Sequence, residues 1–262
     1  MERDKIKNLQ VYYRRMTFIE DSKKIKAKQN FKEFYSHYFT GIFSPYLAAV
    51  FVGTRITPNQ LTLAMIPCGI IGTIMLISGN TLVALFGALC YVFLNILDAS
   101  DGELARFTNQ TSVFGDYLDR VAHYITNSTF MLGLGIFIYL QDENILFIYL
   151  LVIGEAFMLG DEVLRDLLIA CGLKDLENND PGTRKNQKKM TKIEANTLIT
   201  VLFNIFFSNA AAFHITPILL FLFHYSLIDT IVLGVYFFLF SMIYPIKFLI
   251  RYRIIAAEFE GV

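Results

Sequence analysis

Tryptophan is absent, and only three cysteines, Cys68, Cys90 and Cys171, occur among 262 residues. They are scattered in or near apolar runs with no C-x-x-C pair, so neither a disulfide framework nor a zinc site is indicated. Net charge is lacking too: 23 Lys and Arg balance 23 Asp and Glu. That balance gives no global pull toward nucleic acid or acidic partners, and no nucleic-acid partner is expected. No signal peptide is recognisable, because the first forty residues are charged and carry no compact apolar core before a small-residue cleavage site. Internal repeats and a separate soluble domain are missing as well. The short amphipathic segments of a soluble core are replaced by something else. The chain is 55% hydrophobic, and its apolar residues lie in runs long enough for helices to cross the hydrocarbon core.

The expected architecture is an all-α integral membrane protein. Residues 1–55 form an N-terminal juxtamembrane region, basic and aromatic, with Phe31, Phe34, Tyr35 and Tyr38 at helical spacing and a short apolar stretch from Phe39 to Val52 broken by Pro45. It reads as amphipathic helix lying on the membrane surface, its basic face toward anionic headgroups. Residues 56–262 carry six spans: about Leu61–Ile77, Leu82–Leu97 with helix continuing beyond, Ser112–Leu140, Ile145–Cys171, Ala195–Phe223 and Leu227–Ile250. Thr57-Pro58-Asn59 starts the first, since proline at the first helical position has no donor to waste. Loop charges agree. Lys and Arg cluster before residue 33, at Arg106, between Arg184 and Lys192, and at Lys247–Arg253, whereas Ser78–Thr81, Gln141–Asn144 and His224–Asp229 contain neither. The alternation places both termini in the cytoplasm.

The chemistry concentrates at one hairpin. Asp98-Ala99-Ser100-Asp101-Gly102-Glu103-Leu104-Ala105-Arg106 ends the second span, and Gly115-Asp116-Tyr117-Leu118-Asp119 opens the third. Asp98 and Asp101, three apart, share a helix face; Asp119 and His123, four apart, share another, with Asp116 near it. The short connection makes the two spans antiparallel. Asp119 and His123 then lie ~10 and ~16 Å past Ser112, at membrane depth. Carboxylates there repel one another unless paired. Hard divalent cations such as Mg²⁺ or Mn²⁺ relieve the repulsion and supply what phosphoryl transfer needs. Gly102 and Gly115 permit close approach of a nucleotide or a second backbone, and Arg106 can reach a phosphate or an aspartate.

At these residues the chain resembles the CDP-alcohol phosphotransferase family, whose signature is D-x2-D-G-x2-A-R-x8-G-x3-D-x3-D. Asp98, Asp101, Gly102, Ala105, Arg106, Gly115 and Asp119 match with every spacing intact. Ile56-Thr57-Pro58-Asn59-Gln60-Leu61-Thr62 also resembles the start of the family's first span, so the likeness covers about residue 40 onward. It implies transfer of a substituted phosphate from a CDP-linked alcohol to a lipid or polar acceptor hydroxyl, with CMP released. It implies metal-ligand roles for Asp98, Asp101 and Asp119, with two divalent ions. Gly102, Ala105 and Gly115 take nucleotide-facing roles, and Asn59 is a further contact candidate for the CDP moiety. A homodimer among membrane lipids is implied, with the active site cytoplasmic; a prokaryotic inner (plasma) membrane is the default location.

The last motif aspartate is replaced by His123. Three readings stay open. Imidazole serves as general base, in which case activity falls below its ordinary pKa of ~6.5. Asp116 supplies the missing carboxylate. Or the site binds CDP-alcohol and metal without transfer, as a scaffold or regulator. A nitrogen ligand would also suit Mn²⁺ better than Mg²⁺. A transporter is the third functional class, and the lack of a two-halves repeat counts against it. Outside the motif, Glu155 sits near mid-membrane, facing an acceptor cavity or a partner helix. Asp161 to Asp166 approach the boundary, where solvation would suffice. The Arg184–Lys192 cluster sets topology or holds anionic headgroups.

Overall fold

The computed structural model describes residues 17–27, 40–170, 209–226 and 228–260. Among them every regular element is helical. In chain order these are α1 (residues 17–27), α2 (Gly41–Phe51), α3 (Pro58–Leu76), α4 (Thr81–Thr108), α5 (Val113–Asp142), α6 (Leu146–Ala170), α7 (Asn209–His224) and α8 (Thr230–Glu260). Four stretches are long and apolar enough to cross a membrane: α3, α4, α5 and Thr230–Ile250 of α8. The pattern fits a multi-pass helical membrane protein. The expected fifth span begins in undescribed sequence, and only its second half, α7, is seen. The aromatic positions Phe31 to Tyr38 and the Arg184–Lys192 cluster lie outside the described residues.

Local chemistry sets the helix ends near the hairpin. Pro58 opens α3, and the Gln60 side chain turns back to accept the Thr57 N–H at 2.9 Å. Asn80 caps α4 by accepting from Leu82 and Val83 N–H at 3.0 and 3.2 Å. Asn109 ends that helix at φ 56°, a left-handed position that asparagine tolerates. Ser112 Oγ accepts the Gly115 N–H at 3.0 Å and starts α5. Only residues 109–112 therefore separate the two motif helices, and α4 continues unbroken through the acidic motif.

Packing then fixes how these helices meet. α3 and α4 approach backbone to backbone at Gly72 and Gly87, where a methyl group on Gly87 would sit 2.6 Å from the Gly72 carbonyl oxygen. Next to that crossing, Tyr91 Oη meets Thr73 Oγ1 at 2.6 Å and Thr129 Oγ1 at 3.0 Å, and donates toward Gly69 O at 3.0 Å. This buried knot joins α3, α4 and α5, and every hydroxyl in it has a partner. Below it the Phe130 ring meets Tyr91, Phe213 and Phe240 edge-on, drawing α7 and α8 onto the same core. α6 packs against α8 where Gly154 faces Ser241.

α2 has eleven residues, too short to span, with Pro45 inside it. Its small face (Gly41, Ser44, Ala48) is buried against the motif end of α4. Ser44 Oγ donates to Glu103 Oε1 at 2.9 Å, and Ser100 Oγ donates to Ser44 O at 3.2 Å. α1 buries Ile25 in a cluster with Ala48, Ala49, Leu61 and Leu104 and exposes Lys23, Lys24 and Lys26, as an amphipathic helix should.

Candidate active site

Two helices build the centre. Asp98 from α4 and Asp119 and His123 from α5 each place a ligating atom within 4.8 Å of the others. His123 Nε2 lies 3.1 Å from Asp98 Oδ1 and 3.5 Å from Asp119 Oδ1. All three side chains are partly exposed, so the cluster opens toward solvent or substrate. Asp119 Oδ1 is buried and accepts no hydrogen bond. Two carboxylates, one of them with an oxygen lacking a donor, and an imidazole form a donor set that fits a divalent cation.

Asp101 stands apart from this trio. It is buried, 7% exposed, and its Oδ2 accepts a hydrogen bond from Thr62 Oγ1 on α3. Asp116 lies in the first turn of α5, exposed and outside the trio. Gly115 packs against Asn59, whose Oδ1 would be 3.1 Å from a methyl group added there. Arg106 folds back over Gly102, its Nη1 3.1 Å from the same kind of added group. Gly102 and Ala105 are half-buried and Arg106 is exposed. The hairpin thus presents two small surfaces, one beside a guanidinium and one beside an amide, near three carboxylates. That combination suits a diphosphate joined to a polar base and sugar.

The α6 acids depart from their expected solvation. Asp161 and Glu162 are 8% and 6% exposed. Asn127 Nδ2 donates to Glu162 Oε1 at 2.9 Å. Asp166 is paired with Arg120 and accepts from Tyr124, with Arg165 Nε 3.7 Å away. Packing against a polar stripe of α5 (Arg120, Tyr124, Asn127) replaces water for these groups. One-dimensional spacing cannot show this, because the partners are 35 to 46 residues apart. Glu155 faces Ser128 of α5 and Glu162, so it belongs to the α5–α6 contact and not to the trio. Thr62 was also missed as a site residue. The available clue was its position three residues after Asn59, which puts both on one face of α3.

The family model for CDP-alcohol phosphatidyltransferase matches residues 55–236, a stretch that contains all of α3, α4, α5 and α6. Over 160 residues the chain is 29% identical to the bifunctional IPC transferase and DIPP synthase of Thermococcus kodakarensis. The match covers 61% of this chain and 35% of that protein, so the chain corresponds to about a third of the relative's length.

Proposed function

The chain belongs to the CDP-alcohol phosphatidyltransferase family, and from that premise we propose that it transfers a substituted phosphate group from a CDP-linked alcohol to an acceptor hydroxyl, releasing CMP. The observation that carries this reading is the convergence of Asp98, Asp119 and His123 from two antiparallel helices within 4.8 Å. The same motif brings Gly102, Ala105, Arg106 and Gly115 beside them, with Asn59 against Gly115.

The family uses divalent metal ions. Asp98 and Asp119, with Asp101 as the third motif carboxylate, are the residues that would hold Mg²⁺ or Mn²⁺, in a one- or two-ion site. Bound there, such a cation neutralises diphosphate oxygens. The remaining work falls to the chain. Asn59 and the Gly102, Ala105 and Gly115 surfaces seat the CDP moiety, and Arg106 reaches its phosphates. His123 Nε2 faces Asp98, and an ionised carboxylate only accepts, so the imidazole donates there and keeps Nδ1 as an acceptor. Nδ1 takes the proton of the acceptor hydroxyl as its oxygen bonds to the distal phosphorus. The bond from that phosphorus to the bridging oxygen breaks, and CMP departs with that oxygen.

In the finer architecture the loop charges carry the topology, the family resemblance carries the dimer, and the prokaryotic membrane is the default. Residues 1–55 are the juxtamembrane region and 56–262 the six-span domain, with both termini and the site at the cytoplasmic boundary of a prokaryotic plasma membrane, in a homodimer. The acceptor is a lipid or polar alcohol.

One observation favours a second reading. His123 Nε2 lies between two carboxylates, at 3.1 and 3.5 Å, where an imidazolium would occupy cation space. In that reading the chain binds CDP-alcohol as a scaffold or regulator without turnover. CMP release by the purified, lipid-reconstituted protein, across CDP-alcohols, acceptors and Mg²⁺ or Mn²⁺, separates the two. Release that requires one metal and one acceptor supports the transferase. Donor binding without release, with turnover appearing in His123→Asp, supports the scaffold.

A further inference from the structure

We propose that Thr62, on α3, is a positioning residue that holds Asp101 of α4 outside the Asp98–Asp119–His123 trio, so that the motif carboxylates meet a divalent cation from two separate anchors. The inference rests on the metal-dependent reading of the site given above, and it concerns a residue outside the hairpin motif.

Three observations carry it. First, Thr62 and Asp101 are 39 residues apart in sequence yet share a hydrogen bond, Thr62 Oγ1 to Asp101 Oδ2. Both are buried, at 4% and 7% exposure. Second, Thr62 Oγ1 also lies 3.3 Å from Pro58 O, but a hydroxyl has one hydrogen to give. The contact to Asp101 is the closer of the two, and the backbone contact keeps the hydroxyl in place beside it. Third, Asp101 offers no atom to the group whose ligands lie within 4.8 Å of one another, although it shares a helix face with Asp98. Asp101 is engaged instead by the Gly102 backbone on its own helix and by the hydroxyl of Thr62, its partner from outside α4.

The arrangement has a physical purpose. Asp98, Asp101 and Asp119 brought together without a cation would repel one another. A neutral donor on a third helix solves this at Asp101 without adding a counter-charge that competes with metal. It also ties α3, which carries Asn59 beside Gly115, to the motif end of α4. The first turns of α3 therefore touch both halves of the motif through two residues on one face.

The test uses the full-length protein in lipid nanodiscs with Mn²⁺ alone as probe, read by electron paramagnetic resonance of the free ion. Thr62→Val keeps the shape and removes the donor; Thr62→Ser keeps the donor. Loss of an outer-shell partner of a metal ligand weakens binding about tenfold or more. The expected result is a loss of about that size for Thr62→Val and near-native affinity for Thr62→Ser. In an Asp101→Asn background, Thr62→Val should add little, because both changes act through one carboxylate. A folded Thr62→Val protein with native Mn²⁺ affinity overturns the proposal, as does full additivity with Asp101→Asn. If Thr62→Val does not fold, Thr62→Ala in the same cycle gives the answer. No Mn²⁺ binding by the unaltered protein overturns the metal reading and this inference together. Native Mn²⁺ behaviour with no CMP release removes the transfer reading and leaves Thr62 in its role.

Discussion

At the scale of single residues, the site separates groups that the motif alone treats alike. His123 and Asp98 touch across the hairpin at 3.1 Å, while Asp116, only three residues from Asp119, stays exposed. Substitutions should divide accordingly. His123→Ala removes the proposed base and should lower kcat by about 10²- to 10⁴-fold, with the donor KM changed far less; steady-state CMP release at saturating metal checks this. Asp98→Asn should abolish turnover, whereas Asp116→Asn should retain most of it, and equal losses in the two would mean that the trio is not the reacting centre. Much of this was legible beforehand. Spacings of three and four residues put Asp98 with Asp101, and Asp119 with His123, on their faces. The hydrogen bond of Asp101 to Thr62 was not legible, because that partner sits on another helix, 39 residues away.

At the scale of elements, close backbone approach sets where the acidic ends of α4 and α5 can meet. A methyl group at Gly87 would lie 2.6 Å from Gly72 O and 2.9 Å from Met75 Cβ. Neither is the flexible end of a side chain, so the helices must separate. Gly87→Ala should therefore destabilise by about 1–3 kcal/mol, read as a lower melting temperature in nanodiscs. It should also reduce CMP release, because α3 carries Asn59 and Thr62 away with it. Tyr91→Phe tests the neighbouring knot. It removes the hydroxyl that the Thr73 and Thr129 side chains share, while both keep backbone carbonyl partners, and should cost about 0.5–1.5 kcal/mol, with the metal dependence of the surviving activity unchanged. The helix starts were readable because each is written locally: Thr57-Pro58 before α3 and Ser112 before α5. The α6 acids were misplaced for the opposite reason. The ion pair of Asp166 with Arg120 and the hydrogen bonds from Tyr124 to Asp166 and Asn127 to Glu162 are contacts between helices, and an acidic stripe near a boundary looks the same in sequence whether it faces water or another helix.

At the scale of the whole molecule, the position of the site relative to the membrane follows from helix length. α4 and α5 have 28 and 30 residues, about 42 and 45 Å of helix, against a hydrocarbon core of about 30 Å. Each must project beyond the core, and the motif occupies the last third of one and the first third of the other. The short 109–112 connection is then expected on one side of the membrane and Glu143-Asn144 on the other. Of the six expected spans, four are long and apolar enough among the described residues. α6 is not among the four, and it carries Glu155, Asp161 and Glu162 within its first seventeen residues. Loop charge adds direction, since Arg106 lies beside the 109–112 connection whereas Gln141–Asn144 has no Lys or Arg. Single cysteines at Thr111 and Asn144, in a chain with Cys68, Cys90 and Cys171 replaced by alanine, check this with a membrane-impermeant maleimide. In right-side-out vesicles position 144 should react and position 111 should not, and in inverted vesicles the order should reverse. Reaction of both from one side would mean that α5 does not cross. The trio would then lie at a surface instead of at the inner end of a span, and a lipid-dissolved donor or acceptor would have no route to it along the bilayer.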